Sequence, residues 1–289
     1  MKPARRIIVL MHETDDEQIL QRYVITLLAE HWREDGHEVV FLFGTSRFVP
    51  GDVVVVHVDL SVVPDEYLLF AARYPASVNG RVRDIRKSTF SEGLLKQNDR
   101  WSGGVIVKTN LNYAGQPERE RLRESASPGR RAMGRRWRSS SRPGVDHRFE
   151  TPNGYLLYDR LADVPPAFFD DSGLVVQKYF AEIDQGMYCV RIMNFLGDRV
   201  SCMRLKGRHP IVNGPSTEIA EAVEPHPDII AAQRRLHFDF GKFDYVMAEG
   251  RAVLLDINKT VGCATNLLDN QEMRRVRQHR AAALYEFFR

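Results

Sequence analysis

The residues best placed to do chemistry lie near the end of the chain, in 241–262, Gly-Lys-Phe-Asp-Tyr-Val-Met-Ala-Glu-Gly-Arg-Ala-Val-Leu-Leu-Asp-Ile-Asn-Lys-Thr-Val-Gly. Two apolar runs, Phe243–Ala248 and Ala252–Ile257, flank Glu249-Gly250-Arg251, a pattern that predicts a β-hairpin turning near Gly250. With that pivot, Asp244 lies opposite or diagonal to Asp256. Asn258 follows on the same face, because strand side chains repeat every two residues. Two carboxylates side by side are costly unless a cation neutralises them. A hard ion such as Mg²⁺ takes such oxygens and keeps sites for phosphate. An ordinary hairpin with solvent-facing acids is the alternative.

Lysines and arginines inside apolar runs form a second group. Lys108 ends Val105-Ile106-Val107, where a buried ammonium needs an anion and a strand-end lysine would instead reach for solvent. Arg191 and Arg204 sit in consecutive β-type runs, Met187–Phe195 and Arg199–Leu205, joined by a Leu196-Gly197-Asp198 turn. A guanidinium cannot shed its charge, so each requires a bound anion or a structural carboxylate. His209, in a polar loop after Arg208, is a further candidate base.

These residues resemble the ATP-grasp fold of carboxylate–amine ligases such as D-alanine–D-alanine ligase and glutathione synthetase. That family carries an acid on one strand, then E-x-N and a short turn ending in Gly on the next; here the positions read Asp244, Asp256, Asn258 and Gly262. Asp256 replaces the usual Glu, and Val261 stands where Pro is common. The resemblance makes Asp244, Asp256 and Asn258 the metal ligands. It places Lys242, Arg191 and Arg204 beside the transferred phosphate or the activated carboxylate. It makes Lys108 and, more weakly, Lys87 the nucleotide-phosphate lysines, with Arg83, Arg86 and Lys96 competing for the latter role. Gln177, Lys178 and Phe180 match the hinge strand that pairs with adenine, and Asp184 has the spacing of the acid that holds the ribose. The activity it implies is ATP- and Mg²⁺-dependent ligation, in which a carboxylate becomes an acyl phosphate and an amine attacks it. A kinase on the same fold, or a non-catalytic nucleotide- or nucleic-acid-binding protein, is the rival.

The elements that must position these groups follow from periodicity. Arg6–Met11, His37–Phe43, Asp52–Val58 and Ala76–Asn79 read as strands, with helices over 17–34 and 65–73; the crossovers predict parallel pairing. No G-x-G-x-x-G follows the first strand, so a dinucleotide site there is unsupported. The expected class is α/β (α+β), and the resemblance implies a full ATP-grasp architecture with a Rossmann-like pre-ATP-grasp domain over 1–80. A small ATP-grasp subdomain over 81–180 and a C-terminal subdomain over 181–289 holding the Mg²⁺ site complete it. Helices are expected over 228–237 and 270–288.

The family's Gly-rich phosphate loop is poorly matched, since Asn110–Gly115 has a single Gly. It runs into 117–143, which holds nine Arg against three Glu while the whole chain carries only +3. That composition cannot supply a core and reads as mobile, able to clamp an anionic substrate or ATP phosphates, to contact nucleic-acid phosphates, or simply solvated. At 289 residues and 43% hydrophobic the chain can bury a real core. Three scattered cysteines lack metal-site spacing and fit a reduced, cytoplasmic compartment, and the short N-terminal apolar run fits neither a signal peptide nor a membrane span.

Overall fold

The computed structural model describes residues 4–124, 154–263 and 271–288. In chain order the strands are β1 (Arg6–Met11), β2 (Glu38–Phe43), β3 (Val53–Val56), β4 (Ser77–Val78), β5 (Val105–Thr109), β6 (Leu156–Tyr158), β7 (Leu174–Lys178), β8 (Glu182–Asp184), β9 (Met187–Leu196), β10 (Arg199–Gly207), β11 (Ile219–Val223), β12 (Phe240–Ala248) and β13 (Arg251–Asn258). They form two compact units. One comprises 1–59, 63–83 and 181–289; the other 60–62 and 84–180.

The first unit contains a four-stranded parallel sheet in the order β2-β1-β3-β4. The run Val53–Val56 is buried at every position, as expected of a parallel strand covered on both faces. The helix expected over 17–34 is broken in two, Glu17–Leu20 and Val24–Glu34. Asp16 caps the first turn through the Gln18 and Ile19 amides. Tyr23 is extended and bridges to Gly262, which removes it from the helix. Tertiary pairing there overrides a continuous helical pattern.

The same unit holds a six-stranded sheet in the order β11-β10-β9-β12-β13, with β8 also on β9. The stretches expected as separate domains, 1–80 and 181–289, share one core. Ile7, Val9, Trp32, Val53 and Val55 pack in the same cluster as Leu196, Phe240, Val261 and Leu284. Trp32 Nε1 donates to Ala281 O at 2.9 Å, linking helix Val24–Glu34 to the C-terminal helix Gln271–Ala281. Asn79, buried with a left-handed φ of 58°, receives the Asp239 and Phe240 amides on Oδ1 and donates Nδ2 to Phe240 O. One short amide side chain thereby joins the end of the parallel sheet to the start of β12.

The second unit is built on an antiparallel sheet, β6-β5-β7, with Leu95, Val105, Val107, Leu156 and Val176 in its core. The first residues of the arginine-rich stretch, expected to be mobile, fold as a helix, Gln116–Glu124. Glu118 accepts the Ser61 amide at 2.7 Å and Arg119 donates to Ala114 O, which anchors that helix. The remainder of 117–143, from 125 onward, lies outside the described residues. Among the described residues no helix is long and apolar enough to cross a membrane.

Candidate active site

The β12–β13 hairpin turns through Glu249 and Gly250, both with positive φ (53° and 77°), as a two-residue turn that follows the right-handed twist of its strands. Ala248 pairs with Arg251, and a plain ladder from that turn would set Asp244 against Leu255. A one-residue register shift beyond Tyr245 changes this, so Asp244 pairs directly with Asp256 and Lys242 with Asn258. Four polar side chains thus stand as two adjacent rungs on one face. Lys242 Nζ donates to Asp244 Oδ2 at 3.0 Å. Burial works against the ammonium, but attraction to Asp244 and then to Asp256 outweighs it, so the Lys242 pKa is raised. Asn258 Oδ1 accepts the Thr260 amide at 2.9 Å, and Asp256 Oδ1 accepts the Ile257 amide.

Among the described residues no three His, Cys, Asp or Glu side chains gather as a complete metal cage. Two carboxylates and a carboxamide are nevertheless an all-oxygen set that suits a hard divalent cation completed by water or phosphate oxygens. The fit is one of donor chemistry.

Arg191 and Arg204 are not brought to these rungs. Arg191 pairs across the sheet with Tyr245 and Arg204, whereas Asp244 pairs with Ile192 and Lys242 with Asn194. Neighbouring pairs on a strand point to opposite faces, so the arginines share the face opposite the four-residue corner. There Glu182 accepts Arg191 through both oxygens, at 2.7–3.0 Å, and also the Met247 amide. Arg204 bridges Glu221 at 2.7 Å and Asp184 at 3.3 Å, while Lys206 bridges Asp184 at 2.7 Å and Glu221 at 2.9 Å. The anions these arginines require are supplied by the chain itself. Asp184, expected at a ribose, is engaged by Lys206 and Arg204, which hold its carboxyl below the usual range. Glu182 and Glu221 lie on β8 and β11, short strands with no strong alternation to mark them, and Lys206 lies on β10 one residue beyond the apolar run Arg199–Leu205.

In the second unit, Lys87 and Lys108 are both buried, and the Lys87 amide donates to Asn110 O, two residues past Lys108. Gln177 is fully buried on the Lys108 face of the sheet, with Nε2 on Glu92 O at 2.7 Å. Lys178 faces the other way, its ammonium 4.2 Å from the Trp101 ring centroid, and Phe180 packs beside Gly93. The Asn112–Gly115 turn departs from a glycine loop, placing non-glycine Tyr113 and Ala114 in left-handed conformations. His209 is exposed. A cavity of about 350 Å³ in the first unit, lined by Arg81, Arg234, His237, Asp239 and Phe287 among others, includes none of these candidates.

No protein-family model and no curated protein matches the chain. Solved structures do, along nearly their whole length, and the chain has the ATP-grasp fold. The ATP-grasp ligase PsnB, complexed with minimal precursor, Mg and ADP, is 14% identical with a TM-score of 0.52, covering 98% of this chain and 97% of its own. A RiPP-associated ATP-grasp ligase from Chryseobacterium gregarium, in complex with ADP and a leader and core peptide, is 12% identical (TM-score 0.51; 97% and 96% covered). D-alanine–D-alanine ligase from Bacillus anthracis complexed with ATP is also 12% identical (TM-score 0.50; 98% and 97% covered).

Proposed function

We propose that this chain is an ATP- and magnesium-dependent ligase that activates a carboxylate as an acyl phosphate for attack by an amine. One observation carries the reading: the Asp244–Asp256 and Lys242–Asn258 rungs on one face of the large sheet of an ATP-grasp fold. Asp244, Asp256 and Asn258 would hold Mg²⁺, which when bound offsets charge on the transferring phosphoryl group. Lys242, now paired with Asp244, would be released by the cation to face phosphate or the new acyl phosphate. Lys87, Lys108 and the hinge residues Gln177, Lys178 and Phe180 are the second unit's candidates for the nucleotide.

In this reading Arg191, Arg204 and Asp184 are assigned to structure rather than to phosphate or ribose. With Glu182, Lys206 and Glu221 they brace β8 to β11 on the reverse face. The reaction needs no protein nucleophile, which agrees with the inert settings of Cys189 and Cys202, whose thiol pKa values burial raises. One of the similar ATP-grasp ligases holds a leader and core peptide and another a minimal precursor, so peptide carboxylates belong among the substrates to try.

The test is an ADP-release screen against amino acids, small acids and short acidic peptides, with and without amine acceptors. Turnover is expected only with Mg²⁺ and both substrates, and Asp256→Ala is expected to abolish it while circular dichroism and melting stay near those of the parent. Full turnover in the variant would overturn the assignment of the metal; phosphate retained on the product would identify a kinase instead.

A further inference from the structure

The five residues after β13 are stitched to a distant part of the first unit. Val24 N donates to Val261 O and Cys263 N to Arg22 O, while Lys259, fully buried, donates Nζ to Val58 O at 2.8 Å. At the centre is Asp59, at the C-terminal end of β3, where α/β sheets present functional side chains. Its Oδ1 accepts the Thr260 hydroxyl at 2.6 Å and its Oδ2 the Tyr23 hydroxyl at 2.8 Å. Thr260 Oγ1 also lies 3.3 Å from Asn258 Oδ1, the oxygen already held by the Thr260 amide.

A hydroxyl has one proton, and the shorter contact to a carboxylate takes it. The Thr260 proton therefore points to Asp59 and away from Asn258. A carboxamide oxygen has two acceptor directions; the Thr260 amide fills one and the other is left for a cation. If Asp59 stopped drawing the hydroxyl away, Thr260 could turn it onto Asn258 Oδ1, where it would compete with the metal.

We infer that Asp59 is a positioning residue for the metal site, holding the Thr260 hydroxyl off Asn258 so that its carboxamide oxygen stays available to a divalent cation. The inference rests on the proposed role of Asn258 and extends it to a residue nearly 200 positions earlier. Asp59→Leu keeps a similar size but offers no acceptor to either hydroxyl, whereas Asn could keep its carbonyl oxygen on Thr260 and donate its amide NH2 to Tyr23.

The experiment is equilibrium calorimetry of ADP binding to the full chain with and without Mg²⁺. In Asp59→Leu, Mg²⁺-dependent affinity is expected to fall about tenfold, the lower range for residues that orient metal ligands, with Mg²⁺-free binding unchanged. Adding Thr260→Val, which removes the competing hydroxyl, is expected to restore affinity. Thr260→Val alone is expected to stay within about twofold of the parent, since the hydroxyl is not needed on Asn258. Unchanged Mg²⁺·ADP affinity in Asp59→Leu, or no restoration in the double variant, would overturn the inference. So would weakened binding in Thr260→Val alone, a readout that stands even if Asp59→Leu fails to fold. Asp256→Asn separates the two levels. If it binds Mg²⁺·ADP like the parent, the metal assignment itself fails; if it loses binding while Asp59→Leu does not, only the role of Asp59 is refuted.

Discussion

Replacing Lys242 by Met tests the charge balance of the β12–β13 corner directly. Its ammonium lies 3.0 Å from Asp244 Oδ2, with side chains 29% and 21% exposed, and attraction to Asp256 adds to the pair. At that separation and an effective dielectric of about 20, the direct attraction is on the order of 5 kcal/mol. Recovering the desolvation of the ammonium and allowing for partial exposure reduce this to about 2 kcal/mol. Lys242→Met is therefore expected to unfold at lower urea in metal-free buffer, because two carboxylates then face each other across one rung. Magnesium should stabilise the variant more than the parent, since no ammonium competes for Asp244. A site with a Kd on the order of 1 mM gains about 1.4 kcal/mol at 10 mM Mg²⁺.

The alkaline limb adds a second reading of the same pair. The folded pKa of Lys242 is raised, so its contribution is complete below the unfolded lysine value of about 10.4 and is lost as pH rises through the higher folded value. The parent should lose this increment above about pH 10.4 and the variant should not. The assay is urea unfolding followed by tryptophan fluorescence at pH 7 and pH 11, with and without Mg²⁺. Equal stability of the two proteins, with equal response to Mg²⁺, would refute the claim that ammonium and cation exchange at Asp244.

Two further outcomes are expected. His57 is fully buried between Tyr23 and Phe240, and burial lowers its pKa from 6.5 to about 4; the unfolded chain takes up this proton first as the pH falls. Stability should drop by about 3 kcal/mol between pH 6.5 and 4, and urea titrations of His57→Met should show a flatter profile. Glu182→Ala strands the guanidinium of Arg191 on the buried reverse face and is expected to cost about 3 kcal/mol in urea unfolding. Because that face is turned from Asp244 and Asp256, Mg²⁺·ADP affinity measured by calorimetry should be unchanged; a large loss would show that the arginine cluster belongs to the nucleotide site.

Much of this arrangement is local and therefore legible in the chain. Glu249-Gly250 between two apolar runs specifies a tight hairpin, since a glycine accepts positive φ at no steric cost, and Asp256-x-Asn258 must share a face in any strand. The apolar blocks Arg6–Met11 and Val53–Val56 likewise announce buried parallel strands. What could not be read locally depends on partners far away. The one-residue shift between Asp244 and Tyr245 puts Asp244 against Asp256 rather than Leu255, in a strand paired with β9 on one side and β13 on the other. An arginine in an apolar run announces that it needs an anion but not which one; the fold supplied Glu182 and Glu221 from two short strands and turned Arg191 and Arg204 away from the acids. The hold of Asp59 on Thr260 spans 201 positions. Strand periodicity determines which side chains share a face, whereas register and partner choice are decided by the packing of whole sheets.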